Sequence, residues 1–332
     1  MIKLVYVSDD LPGISRKQLR GKWAYFAADG SRITDRDEIA RLNAIALPPA
    51  YVDAWFAPAG NAHILATGFD ARGRKQYRYH PEFRSQRDAR KFDGCACFAR
   101  LLPLLRDRVE SDLKSPELSR ERAIASIVRL LDTGGIRVGN EAYVKANKSF
   151  GATTLRMRHA KVSGNTLHLT FRAKSGKQCA MRVSDRGLAR FVRAMQDLPG
   201  QRLFQYVDDH GETAPIASTD VNEYIRETMG GEFTAKDFRT WAASAVAFEV
   251  VHSAGSNVPK LAVLEAVADQ LGNTPAIARK SYVHPAILAA LDDQSVIRSL
   301  RLPRATRWLS KHERGLIDFL ESQPGSRELL CA

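Results

Sequence analysis

The sequence predicts an α+β chain of two domains: a small strand-rich N-terminal domain over residues 1–82 and a larger, mainly helical domain over residues 83–332 that contains a three-stranded β hairpin element. Three observations predict it. The first 80 or so residues alternate short β-prone runs with Gly, Pro and Asp turns. After Pro81 the apolar residues recur at helical spacing. Between residues 153 and 183 the β texture returns briefly, flanked by helices. A length of 332 residues agrees with two domains at roughly 100–200 residues each.

In chain order, Lys22-Trp23-Ala24-Tyr25-Phe26, the turn Ala28-Asp29-Gly30 and Arg32-Ile33-Thr34 read as a hairpin. A short helix follows over residues 36–43, with Thr34 or Asp35 as its cap and Pro48-Pro49 as its stop. Residues 51–56, 63–68 and 76–80 read as strands, with Ala71-Arg72-Gly73-Arg74 turning between the last two. Phe98, Leu101, Leu102, Leu105 and Val109 mark a helix over 92–113. Further helices are expected over 120–131 and 140–148, joined through Asp132-Thr133-Gly134-Gly135. The β interlude reads as strands at 153–157, 166–171 and 178–183. Helices are then expected over 185–196, 220–229, 236–252, 260–271, 275–283 and 285–292, with one or two amphipathic helices in the tail 293–332.

Hydrophobic residues make up 44% and charged residues 26%, which excludes collagen, mucin, a coiled-coil rod and a fully disordered chain. Lys plus Arg number 50 against 37 Asp plus Glu, a net charge of +13 that favours an anionic partner. No run of about 18 apolar residues predicts a membrane span, and the first residues turn polar too soon for a signal peptide. Cys95, Cys97, Cys179 and Cys331 match neither a disulfide framework nor zinc knuckles, so reduced thiols in a cytoplasmic protein are expected. No GxxxxGK[ST] loop occurs, which argues against an ATP-driven motor, and no compact Asp/Glu cluster suits a two-metal nuclease.

Four segments far apart in the chain each offer a residue suited to phosphodiester chemistry. They are Gly135-Ile136-Arg137-Val138-Gly139-Asn140-Glu141, the hairpin tip Phe171-Arg172-Ala173-Lys174-Ser175-Gly176-Lys177, Lys236-Asp237-Phe238-Arg239-Thr240-Trp241, and Leu271-Gly272-Asn273-Thr274-Pro275 running on to Arg279-Lys280-Ser281-Tyr282-Val283-His284-Pro285. Singly, each holds an ordinary surface Arg, turn Lys or packing Tyr. In this order the set resembles the type IB DNA topoisomerases in their small poxvirus-like bacterial form, over roughly residues 10–290. The resemblance implies an enzyme that relaxes supercoiled duplex DNA by nicking and religating one strand, without metal or nucleotide cofactor, through a 3′-phosphotyrosyl intermediate. It further implies a monomer acting on the nucleoid.

The residue chemistry agrees with the roles so implied. Attack on a phosphodiester needs a nucleophile, charge on the non-bridging oxygens and a proton for the leaving oxygen. Tyr282 is the candidate nucleophile, and a phenol with a pKa near 10 needs nearby cations. Arg137 and Arg239 are the candidate phosphate clamp, since a guanidinium is planar and stays charged. Lys174 is the candidate general acid; the resemblance selects it over Lys177. Asn273 stands where other branches carry His. Its amide can make the same neutral hydrogen bond to a phosphate oxygen but cannot become cationic.

Arg74, Gln76, Tyr77 and Tyr79 lie on a predicted strand that the resemblance places in the DNA major groove, with the N-terminal domain as one half of a clamp. Alternation puts Gln76 and Arg78 on one face and the two tyrosines on the other. Tyr143, Lys145 and Lys148 follow Arg137 on one predicted helix, as candidate backbone contacts. Two alternatives stand beside this reading. One is a tyrosine recombinase or integrase, although Lys236-x-x-Arg239 departs from the usual His-x-x-Arg. The other is a catalytically silent basic DNA-binding module.

Overall fold

The computed structural model describes residues 3–331, apart from residues 199 and 209 and the side chains of 327 and 331. Two compact units divide the chain, Met1–Arg90 and Lys91–Ala332. The division falls inside a helix that starts at Pro81, next to the change of texture in the sequence.

The first unit is a five-stranded antiparallel sheet of order β2-β1-β3-β4-β5 with one helix. Its strands are β1 (Ile14–Leu19), β2 (Lys22–Phe26), β3 (Val52–Phe56), β4 (Ile64–Phe69) and β5 (Lys75–Tyr79). The partner of β2 is β1, a strand not expected from the sequence, whereas Arg32 meets Phe26 only in an isolated bridge. Leu19 pairs with Lys22, so the turn is the two residues Arg20-Gly21, both at positive φ. That is the two-residue hairpin geometry whose twist suits the strands, but an Arg at its first position hides the signal. Helix α1 (Arg36–Ala44) starts at Asp35, whose carboxylate accepts from the Asp37 and Glu38 amides. Ile14, Tyr25, Leu42, Leu47, Ala54, Phe56 and Ala66 form this unit's own core.

Helix α2 (Pro81–Lys114) runs for 34 residues, with Pro103 inside it, and extends the expected helix toward its N-terminus. Helix α3 (Arg120–Gly134) is buried along most of its length, and its cap Gly135 is left-handed at φ 56°. Helix α4 (Glu141–Asn147) is capped by Asn140. Strands β6 (Ala160–Ser163), β7 (Thr166–Arg172) and β8 (Gln178–Ser184) form a three-stranded antiparallel sheet. The first of them lies later than expected. Residues 153–157 instead fall in and between short 3-10 turns at Ala152–Thr154 and Met157–His159, with Thr153, Thr154 and Leu155 all buried. There, burial rather than strand pairing explains the apolar and β-branched run.

Helix α5 (Arg186–Gln196) precedes a small hairpin absent from the sequence reading, β9 (Gln205–Val207) with β10 (Thr213–Pro215). Helices α6 (Ser218–Met229), α7 (Asp237–Ser253), α8 (Lys260–Leu271), α9 (Pro275–Ser281) and α10 (Pro285–Ala290) follow the expected order. The tail holds α11 (Ser295–Arg298), α12 (Lys311–Glu321) and α13 (Ser326–Cys331). One continuous core joins α2, α3, α5, α7, α8 and the tail through Phe98, Leu130, Phe191, Phe238, Phe248 and Phe319.

Candidate active site

Arg239 sits in the first turn of α7 and is almost fully buried. Its Nη1 donates to the Gly135 carbonyl, and its Nη2 to the Leu271 carbonyl at 3.0 Å. These carbonyls lie two residues before Arg137 and two before Asn273, so one guanidinium ties together three of the four segments. Further along the last of these, the ring centre of Tyr282 lies 4.8 Å from the guanidinium carbon.

Arg137 lies in the extended stretch between α3 and α4. Ala152 N donates to its carbonyl at 2.9 Å, and Thr153 N to that of Val138 at 2.7 Å. The backbones meet closely here: a Cβ on Gly151 would stand 2.6 Å from the Arg137 oxygen and from Gly139. Only glycine permits that approach. Arg137 Nη2 donates to Asn273 Oδ1 at 2.8 Å. Asn273 is buried, and its Nδ2 has no hydrogen-bond partner among the described residues. Arg137 and Arg239 line one cavity, together with Lys177 and Cys179.

The β7–β8 tip closes with Ala173 N donating to the Lys177 carbonyl at 2.7 Å, and Ser175 and Gly176 both take positive φ. Lys174 is exposed there, and no hydrogen bond or ion pair of its side chain occurs among the described residues. Lys177 instead donates to the Asn273 carbonyl. The structure therefore brings Lys177 onto the Asn273 segment and holds Lys174 out at the tip.

Tyr282 caps α9 at φ −133°, outside the helical region. Thr274 Oγ1 accepts from Ile277 N at 3.3 Å and Pro275 opens the helix. The phenol is half-buried. Burial alone would push its pKa up, but the guanidiniums of Arg239 and then Arg137 outweigh it, and the hydroxyl titrates below its ordinary value. Arg239 itself is pushed down by burial and by Arg137. Two cations and one phenol thus share a partly buried site, where charge acts at close range.

Other residues of the site carry no local sequence signal. Arg106 of α2 pairs with Asp132 at 2.9 Å and with Glu313 of α12 at 2.7 Å, and donates to the Trp308 carbonyl. Trp241 Nε1 donates to Glu313 at 3.4 Å. The tail therefore braces the end of α3, just before Arg137, and the start of α7, just after Arg239. Burial would raise the Glu313 pKa, but Arg106 holds it low. Cys95 is buried, which pushes its thiol up to about 12, and Cys179 is also raised by burial. Cys95, Cys97 and Cys179 are free, and the side chain of Cys331 lies outside the described residues. No group of three His, Cys, Asp or Glu suited to a metal ion occurs among the described residues.

In the first unit, Tyr77 and Tyr79 stack at 5.8 Å between ring centres, on one face of β5 as alternation predicts. Arg74 pairs with Asp70 at 2.7 Å, and Gln76 Nε2 donates to the same carboxylate at 3.0 Å. Tyr143, Lys145 and Lys148 are exposed; Lys148 is the left-handed cap of α4 rather than part of it.

The class to which this chain belongs is shown by its sequence relatives: it is a DNA topoisomerase. A family model described as eukaryotic DNA topoisomerase I, catalytic core, matches residues 80–300, and one described as bacterial DNA topoisomerase IB, N-terminal domain, matches residues 22–70. Within that class the chain belongs to the type IB DNA topoisomerases, and it is a DNA-binding isomerase. DNA topoisomerase 1B of Acanthamoeba polyphaga mimivirus is 31% identical over 287 residues, covering 82% of this chain and 85% of that protein. DNA topoisomerase 1B of vaccinia virus (strain Copenhagen) is 20% identical over 248 residues, covering 70% and 74%. A solved XerH site-specific recombinase bound to its palindromic difH substrate matches 58% of this chain and 50% of its own at 14% identity, with a TM-score of 0.38. No described helix is long and apolar enough to cross a membrane.

Proposed function

We propose that the chain relaxes supercoiled duplex DNA as a monomer, without a nucleotide cofactor, and that Tyr282 is the nucleophile. The observation that carries this reading is the Tyr282 phenol held against Arg239, with Arg137 close enough to lower its pKa further. The phenol loses its proton to water, and its oxygen attacks the phosphorus. A P–O bond to tyrosine forms as the P–O5′ bond breaks, and the Lys174 ammonium gives its proton to the leaving 5′-oxygen. Arg137, Arg239 and Asn273 hold the non-bridging oxygens, where charge builds up. The free strand turns under torsion. The 5′-hydroxyl then returns its proton to Lys174 as its oxygen attacks the phosphorus, the P–O bond to Tyr282 breaks, and the phenolate regains a proton from water. One phosphoester replaces another at each step, so no nucleotide is consumed.

Duplex binding rests on two further groups. Tyr77 and Tyr79, with Arg74 and Gln76, offer aromatic and hydrogen-bonding edges for the major groove. Tyr143, Lys145 and Lys148 are placed for the phosphate backbone, which makes affinity fall steeply with salt. The site of action is the nucleoid.

A labelled duplex nicked just past the scissile bond tests the central claim, because the short leaving strand diffuses away and traps any adduct. Wild type is expected to form a covalent complex and to relax plasmid in EDTA. Tyr282→Phe is expected to do neither, while binding the duplex within about twofold of wild type, since only the reacting atom is lost. An adduct that survives in Tyr282→Phe overturns the assignment.

A further inference from the structure

The peptide segment around Tyr282 is pinned on both sides of the tyrosine. On its C-terminal side, His284 N donates to Ser244 Oγ at 3.1 Å, and that hydroxyl donates to the Thr240 carbonyl at 2.9 Å, next to Arg239. The His284 ring reaches Ser326 Oγ of the tail at 3.3 Å, and Ser326 N donates to Asp93 at 2.7 Å. On its N-terminal side, Lys91 Nζ donates to the Ser281 carbonyl at 3.0 Å, across 190 residues of chain. The ammonium also lies 3.8 Å from the centre of the Phe92 ring, and Phe92 meets His284 edge to face.

The Ser281 carbonyl stands at the C-terminal end of α9, where carbonyls lack helical partners and a cation is welcome. It also belongs to the peptide plane that leads into Tyr282, the residue that leaves the helical region. Whatever fixes that carbonyl fixes where the tyrosine Cα points. We propose that Lys91 is a positioning residue for the cleavage reaction, holding the Ser281–Tyr282 peptide so that the phenol meets Arg239. The proposal rests on the reading of Tyr282 as nucleophile.

Lys91 reaches the segment through its backbone, at the Ser281 carbonyl. The phenol's pKa is lowered by Arg239 and Arg137. The effect is one of direction, and small misplacements of a reacting atom are costly. That separates Lys91 from the two arginines in a measurable way.

The test is single-turnover cleavage of the nicked duplex at saturating DNA by wild type, Lys91→Met and Lys91→Arg. Methionine keeps an apolar stem beside Phe92 and removes the donor; arginine restores a cationic donor. Lys91→Met is expected to cleave about tenfold or more slowly, with duplex affinity unchanged and the pH midpoint of the rate unmoved. Lys91→Arg is expected to recover most of the rate. A wild-type rate in Lys91→Met overturns the proposal, as does a loss that lies wholly in binding or a shifted pH midpoint. If the methionine protein does not fold, Lys91→Arg decides: about a tenfold loss in folded protein at unchanged affinity overturns it. The two readings fail separately. Lack of adduct in wild type, or its persistence in Tyr282→Phe, removes the nucleophile assignment, whereas normal cleavage by Lys91→Met removes only the role of Lys91.

Discussion

The guanidinium carbon of Arg239 lies 4.8 Å from the centre of the Tyr282 ring, and the phenol it faces titrates below the usual tyrosine range. More of the hydroxyl is therefore ionised at a given pH than burial alone would allow. Cleavage in wild type should rise with pH and level off below pH 10, the ordinary value being about 10. Arg239→Ala should move that limb upward, and Arg137→Ala should move it upward by less. The tyrosinate absorbance difference between each variant and its Tyr282→Phe double mutant reads the same shift without needing turnover. An unmoved limb in Arg239→Ala would show that the ring contact does not tune the phenol.

The two hairpin lysines make a clean comparison, because Lys177 is held on the Asn273 carbonyl and Lys174 is not. A proton donor matters only when the leaving atom is a poor leaving group. Lys174→Ala should slow cleavage of ordinary DNA by about 10²–10⁴. A duplex with sulfur in place of the 5′-bridging oxygen should cancel most of that loss. Lys177→Ala should lose less and gain nothing from sulfur, since it disturbs position. The opposite pattern would assign the proton to Lys177.

Glu313 joins the tail to Arg106, beside Asp132 and Trp241. Glu313→Gln keeps the shape and leaves the largely buried Arg106 with one carboxylate instead of two. A loss of about 3 kcal/mol in unfolding free energy is expected, the lower end for breaking buried pairs. Denaturant unfolding measures it directly. A loss within experimental error would mean that Asp132 alone satisfies Arg106.

Burial holds His284 down to about 4, against an ordinary value near 6.5. The unfolded chain then binds the proton more readily than the folded one. The stability that comes from burying the neutral ring is complete above about pH 6.5 and is lost as pH falls toward about 4. His284→Asn keeps an oxygen to cap the Ala286 amide, as Nδ1 does now. Its unfolding free energy should fall less steeply between those two pH values. Parallel profiles for the two proteins would contradict this.

Much of the fold is written locally. Helix α8 spans Lys260–Leu271 as its periodicity predicts, and Asp35, Asn140 and Thr274 cap the helices they precede. Strand β1 escaped because Ile14–Leu19 is mostly polar and its turn has Arg where Asn or Asp would announce it. In the site, the arginines, the asparagine and the tyrosine were legible because their segments carry recognisable neighbours in order. Their partners were not. Lys91 finds Ser281 across 190 residues, Arg106 finds Glu313 across 207, and Arg239 spends its donors on two backbone carbonyls that any residue type could supply. No window of sequence holds both ends of such contacts.

Asn273 Nδ2 and Arg239 Nε are both shut away from solvent with no acceptor of their own among the described residues. Leaving a buried donor unmet costs about 1–3 kcal/mol. An anionic oxygen that reached either group would supply the acceptor that each lacks.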